Sequence, residues 1–102
     1  MAQNPSYTET FVELIRRAST ELPAEVIEAL EAGREAETQD GLAELALGTI
    51  LNNVEMARTD SAPICQDTGT PVVWIHHPAG LSTRALKEDF TDAVRQATAV
   101  SY

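Results

Sequence analysis

The chain has 102 residues, 43% hydrophobic and 23% charged, and carries a net charge of −9 from sixteen acids against seven bases. This length holds at most one small domain, and the acidity excludes wrapping nucleic acid or lying on an anionic membrane, both of which call for Lys and Arg. A lone cysteine permits no internal disulfide, the first ten residues lack a basic-then-apolar leader pattern, and no apolar run approaches membrane-spanning length, so a soluble cytoplasmic protein is expected.

The helical pattern begins at Ser6-Tyr7-Thr8-Glu9, which has the form of a capping box with Ser6 as N-cap and Glu9 reaching back to it. Tyr7, Phe11, Leu14, Ile15, Ala18 and Leu22 then share one face at helical spacing. Pro23 suits the first turn of a second helix, with Val26, Ile27 and Leu30 on its buried side and Gly33 as a stop. The acids from Glu21 to Glu37 read as a solvated face. A third helix is expected from about 38–40 to Arg58, because Leu42, Leu45, Ala46, Thr49, Ile50, Val54 and Ala57 keep the 3.6-residue period. Its small residues, Ala43, Ala46 and Gly48, allow a neighbouring helix close, and Arg58 complements the dipole at its end.

Residues 72–77, Val-Val-Trp-Ile-His-His, are β-branched and aromatic between Pro71 and Pro78, and predict a strand. Adjacent histidines on a strand point to opposite faces, so His76 and His77 do not naturally share a metal. Ser82 then caps a helix over 82–102, with Leu86, Phe90, Ala93, Val94, Ala97 and Val100 on one stripe and no stop signal. A single strand forms no sheet alone, and this chain offers it no partner strand. The expected fold is mostly α with one β-strand: a single partial domain over 1–102, with helices in 7–59, a loop over 60–71, the strand and a last helix, continuing in a larger protein.

The chemistry concentrates in the loop. Between Pro63 and Pro71 lie a thiol, an amide, a carboxylate, two hydroxyls and Gly69, which admits a turn closed to most side chains. Successive N–H groups in such a turn can form an anion-binding concavity. A core cysteine has no need of such neighbours, although Asp67 by itself is also a natural Asx-turn residue.

Ile64-Cys65-Gln66-Asp67-Thr68-Gly69-Thr70 resembles the cluster-binding motif of the class I fumarate hydratases and the related L(+)-tartrate dehydratase alpha subunits, which are iron–sulfur hydro-lyases. Leu22-Pro23 before the second helix and Leu81-Ser82-Thr83-Arg84 before the last extend the likeness from about Phe11 to Tyr102. The resemblance implies the N-terminal helical part of a larger α+β hydro-lyase domain that hydrates fumarate reversibly to (S)-malate, tartrate being the alternative substrate. It implies a 4Fe–4S cluster with Cys65 as one of three cysteine ligands and one iron open to a small dicarboxylate. It places Gln66, Asp67 and Thr68 in the substrate pocket, Asp67 as catalytic base or its partner, and Gly69 and Thr70 as shapers of the loop. The other two cysteines are absent from this chain, so the rest of the enzyme chain or a beta subunit must supply them. The 102 residues alone are expected to be inactive, and the full form a homodimer. A second reading, of a different class, is a self-standing acidic helical module without catalysis. The first reading predicts exposed apolar surface around Trp74 and Phe90, and the second predicts that these side chains are covered.

Overall fold

A computed structural model describes residues 6–65 and 69–102. Four helices account for its regular structure: α1 (Thr8–Thr20), α2 (Ala24–Ala36), α3 (Leu42–Asp60) and α4 (Thr83–Ala99). They pair as α1 on α4 and α2 on α3, with a slighter contact between α1 and α3 joining the two pairs. The result is elongated, 64 × 28 × 21 Å, with a radius of gyration of 18.1 Å. A compact chain of this length would have about 13 Å.

The core lies between α1 and α4. Phe11, Leu86 and Ala93 are buried together, with Tyr7, Val12, Ile15 and Phe90 packed around them. Phe11 and Phe90 meet edge to face, their centroids 5.5 Å apart at 86°, the arrangement in which a positive ring edge faces a negative ring face. Ala93 and Ala97 are closed off almost completely, at 0% and 2% exposure, which lets the two helices approach closely. Val54 and Ala57 are the buried residues of α3's apolar stripe.

The second pair is far less covered. No residue of α2 is buried, and Leu42, Leu45 and Ile50 on α3 stay exposed. Gly48 is buried under the Arg34 guanidinium, 3.0 Å from where a Cβ would lie. Arg34 in turn pairs with Glu44 at 3.0 Å, so the small position admits an arginine from α2.

The helix ends depart from the sequence expectations in instructive ways. The capping box does not form: α1 is capped by Tyr7, whose N–H donates to Asp89 Oδ2 at 3.0 Å. Thus α4 supplies the carboxylate that Glu9 was expected to bring. Ser6 Oγ instead accepts a long 3.4 Å bond from the Thr8 N–H. Pro23 is the N-cap of α2, and Gly33 does not stop that helix, which runs on to Ala36. Ser82 caps α4 as expected, its Oγ accepting from the Ala85 N–H at 3.1 Å. That helix ends at Ala99, although no stop was read. Ser101 turns left-handed (φ 67°), and the Ser101 and Tyr102 N–H groups donate to Thr98 O and Ala97 O. This is the Schellman arrangement without its usual glycine.

The expected strand is a correction. Among the described residues there is no strand, and 72–77 run without turn or bend but without a ladder. Strand propensity describes a fit to a pleated, half-buried surface, and no neighbouring strand offers that surface here. Trp74 is consequently 82% exposed.

Candidate functional site

The loop after α3 is built by three separate constraints. The first is local. Ser61 adopts a left-handed conformation (φ 50°), and the Ala62 N–H returns to Ala57 O at 3.0 Å, closing α3 and turning the chain. The second comes from α1: Arg16 Nη1 donates to Ser61 Oγ at 3.3 Å. Arg16 is itself held by Glu13 through Nε at 2.8 Å and Nη2 at 2.6 Å, a two-pronged pairing that matches guanidinium to carboxylate.

Glu13 also accepts from Arg17 Nε at 2.9 Å. The hydrogen bond from Arg16, then that from Arg17, lowers the Glu13 carboxyl from its ordinary 4.5 to about 2. The same bond raises the Arg16 guanidinium, which stays charged throughout. On α3 a comparable pair joins Arg58 to Glu55 at 2.6 Å and lowers the Glu55 carboxyl, chiefly through the Arg58 hydrogen bond. Arg58 therefore meets a neighbouring side chain as well as the helix end.

The third constraint acts next to the cysteine. The Ile64 N–H donates to Ser19 O at 3.0 Å, and Asn53 Nδ2 donates to Ile64 O at 2.8 Å. Both backbone polar groups of Ile64 are thus bonded, one to α1 and one to α3. Cys65 follows directly, free and exposed. Beyond it, Gln66, Asp67 and Thr68 lie outside the described residues. Gly69 has a positive φ of 69°, the region where a side chain is strained, and among the described residues nothing lies within 4 Å of the Cβ it lacks. Thr70 is exposed.

Asn53 and Ser19 were not among the residues singled out from sequence. Ser19 acts through its carbonyl, which every residue type carries, so its identity held no signal. Asn53 did leave one: it is an amide inside a helix, where residues that bond the backbone are otherwise unfavourable.

Beside the loop is a groove of about 450 Å³ between α1, α4 and the 71–73 segment, with Cys65 on its wall. Leu14, Ile15, Val72, Phe90 and Val94 give it a mainly apolar character. Its described lining holds no Lys or Arg, so it lacks the cations that a dicarboxylate needs. Trp74 stands free and Phe90 is partly buried but lines this open groove, so the expected exposed apolar surface is found at Trp74 and in part at Phe90.

Among the described residues no group of three or more His, Cys, Asp or Glu side chains is placed to hold a metal. The donor chemistry of Cys65 suits iron–sulfur ligation, but one thiolate is one ligand. The described residues thus fit one ligand of such a group and no more. No helix of the described residues is long and apolar enough to cross a membrane.

Comparison with known proteins gives this geometry its context. A family model described as fumarate hydratase (Fumerase) matches residues 8–102. A protein of Geobacillus stearothermophilus named as a class I fumarate hydratase is 38% identical over 90 residues, covering 88% of this chain and 18% of that protein. One of Methanocaldococcus jannaschii named as an L(+)-tartrate dehydratase subunit alpha is 30% identical over 94 residues, covering 89% of this chain and 33% of that one. The chain thus spans a third or less of the length of either relative. With all four of its helices and the Cys65 loop inside the matched region, the chain belongs to the fumarate hydratase family of hydro-lyases.

Proposed function

We propose that this chain is the N-terminal portion, a single partial domain, of an iron–sulfur hydro-lyase that interconverts fumarate and (S)-malate. The observation that carries the reading is the exposed Cys65 thiol, directly after a residue held by two helices, in a chain matching the fumarate hydratase family over 8–102. Cys65 would be one of three thiolate ligands of a 4Fe–4S cluster in an α+β enzyme. The other two would come from the rest of the polypeptide or a beta subunit, in an enzyme that works as a dimer.

When bound, such a cluster supplies Lewis acidity toward a substrate hydroxyl and carboxylate. The chain's own part is to hold and deprotonate. Asp67, two positions from the ligand, would take the proton from the substrate carbon as hydroxide leaves, and return it in the hydration direction. Gln66 and Thr68 would orient the substrate by hydrogen bonds, while Gly69 and Thr70 let the loop turn beside them. The cations that bind its carboxylates would come from outside this groove, whose described lining has none.

The test uses the longer polypeptide, purified without oxygen. Cys65→Ser should lose iron and the visible absorbance of the cluster, and retention of both would remove Cys65 from the ligand set. Asp67→Asn should keep the iron and lose turnover by roughly 10²- to 10⁴-fold; unchanged turnover would end its role as base. The M. jannaschii relative, named for tartrate, favours L(+)-tartrate as the second substrate to assay. Faster turnover of tartrate than of malate would move the assignment to that branch.

A further inference from the structure

We infer that Asn53 is a positioning residue for Cys65, a role that rests on the reading of Cys65 as a cluster ligand. Asn53 stands on α3, 11 residues before Ile64, and its Nδ2 donates to Ile64 O at 2.8 Å. The opposite side of Ile64 is tied to α1, its N–H donating to Ser19 O at 3.0 Å. These two bonds point at different helices, so together they fix the peptide planes on both sides of Ile64. The second of those planes is the one that carries the Cys65 nitrogen.

Asn53 contributes more than packing. Its residue is exposed, so its side chain buries little and its main structural act is this bond. Among the described residues of the loop the other anchor is Ser61, held by Arg16, and Gly69 has no described atom near where a Cβ would be. Ile64 is therefore the last anchored residue before the thiol. A ligand that shares a cluster with two distant cysteines must present its sulfur within narrow limits, which calls for partners that orient it. Asn53 and the Ser19 carbonyl are those partners on this chain.

Asn53→Asp is the informative variant, nearly the same shape but without the donor, and Asn53→Ala is its companion. In the longer polypeptide, hydrogen exchange at the Ile64 amide, which is bonded to Ser19 O, should speed by roughly three- to ten-fold, the value of one net hydrogen bond. Amides in the middle of α1 and α3 should keep their rates. Unchanged exchange at Ile64 in Asn53→Asp would overturn the clamp.

In the anaerobically purified longer polypeptide, Asn53→Asp should lower iron content and alter the visible spectrum of the cluster while Cys65 is still present. Full retention with an unaltered spectrum would overturn the positioning role. A parent polypeptide without any cluster would instead strike the proposed function, and the exchange result would stand apart from it.

Discussion

The backbone N–H of Tyr7 donates to Asp89 Oδ2 at 3.0 Å across 82 residues of sequence. One side chain on α4 thereby caps α1 and ties the two helices that enclose the core. An anionic group near a helix N-terminus is further favoured by the helix dipole. Asp89→Ala should destabilise the chain by about 1–2 kcal/mol, lowering the thermal midpoint by about 4–8 °C for each kcal/mol. Asp89→Asn, which keeps an acceptor oxygen, should lose less. Equal losses in the two variants would mean that the cap is not what Asp89 contributes.

Acid should weaken the link between α1 and the loop. Glu13 is lowered from 4.5 to about 2 by Arg16 and Arg17, so the folded state favours its ionised form. The stability this supplies is fully present above about pH 4.5 and is lost as pH falls from there toward 2. The ion pairs are partly exposed and screened, which keeps the effect modest. Glu13→Gln should flatten the acid limb of a stability–pH curve between 4.5 and 2. A curve parallel to that of the parent over this window would contradict the pairing.

Trp74 should report on the uncovered surface. At 82% exposure, its fluorescence should be quenched by acrylamide nearly as efficiently as free tryptophan, and the chain should bind a dye for apolar surface before heating. Strong protection of Trp74, no dye binding and a sharp thermal transition would favour the self-standing helical module over the hydro-lyase portion.

Crowding the α1–α4 seam should be costly. Ala93 has no exposed surface and sits with Phe11 and Leu86. Ala93→Leu should destabilise by about 1–3 kcal/mol through overpacking. The same change at Ala43, on the uncovered α3, should be close to neutral. Thermal unfolding of the two variants side by side checks this, and similar midpoints would mean that the seam is looser than its burial indicates.

Much of this protein is determined by its sequence alone. The 3.6-residue stripes locate all four helices, because amphipathic periodicity is a local property that neighbouring turns reinforce. Ser82 is readable as a cap because its partner, Ala85, is three residues away. The Cys65 motif is readable because its chemical types crowd into one short loop, and the family match over 8–102 supports that resemblance.

Tertiary structure decided the rest, wherever a group's partner lies far along the chain. Asp89 replaced Glu9 at the cap of α1 because a half-buried carboxylate from α4 was already in reach. Asn53 and Ser19 came to hold Ile64 only once α1 and α3 converged on the loop. Residues 72–77 have the composition of a strand but no ladder, since strand formation requires a second strand, which no local sequence can supply.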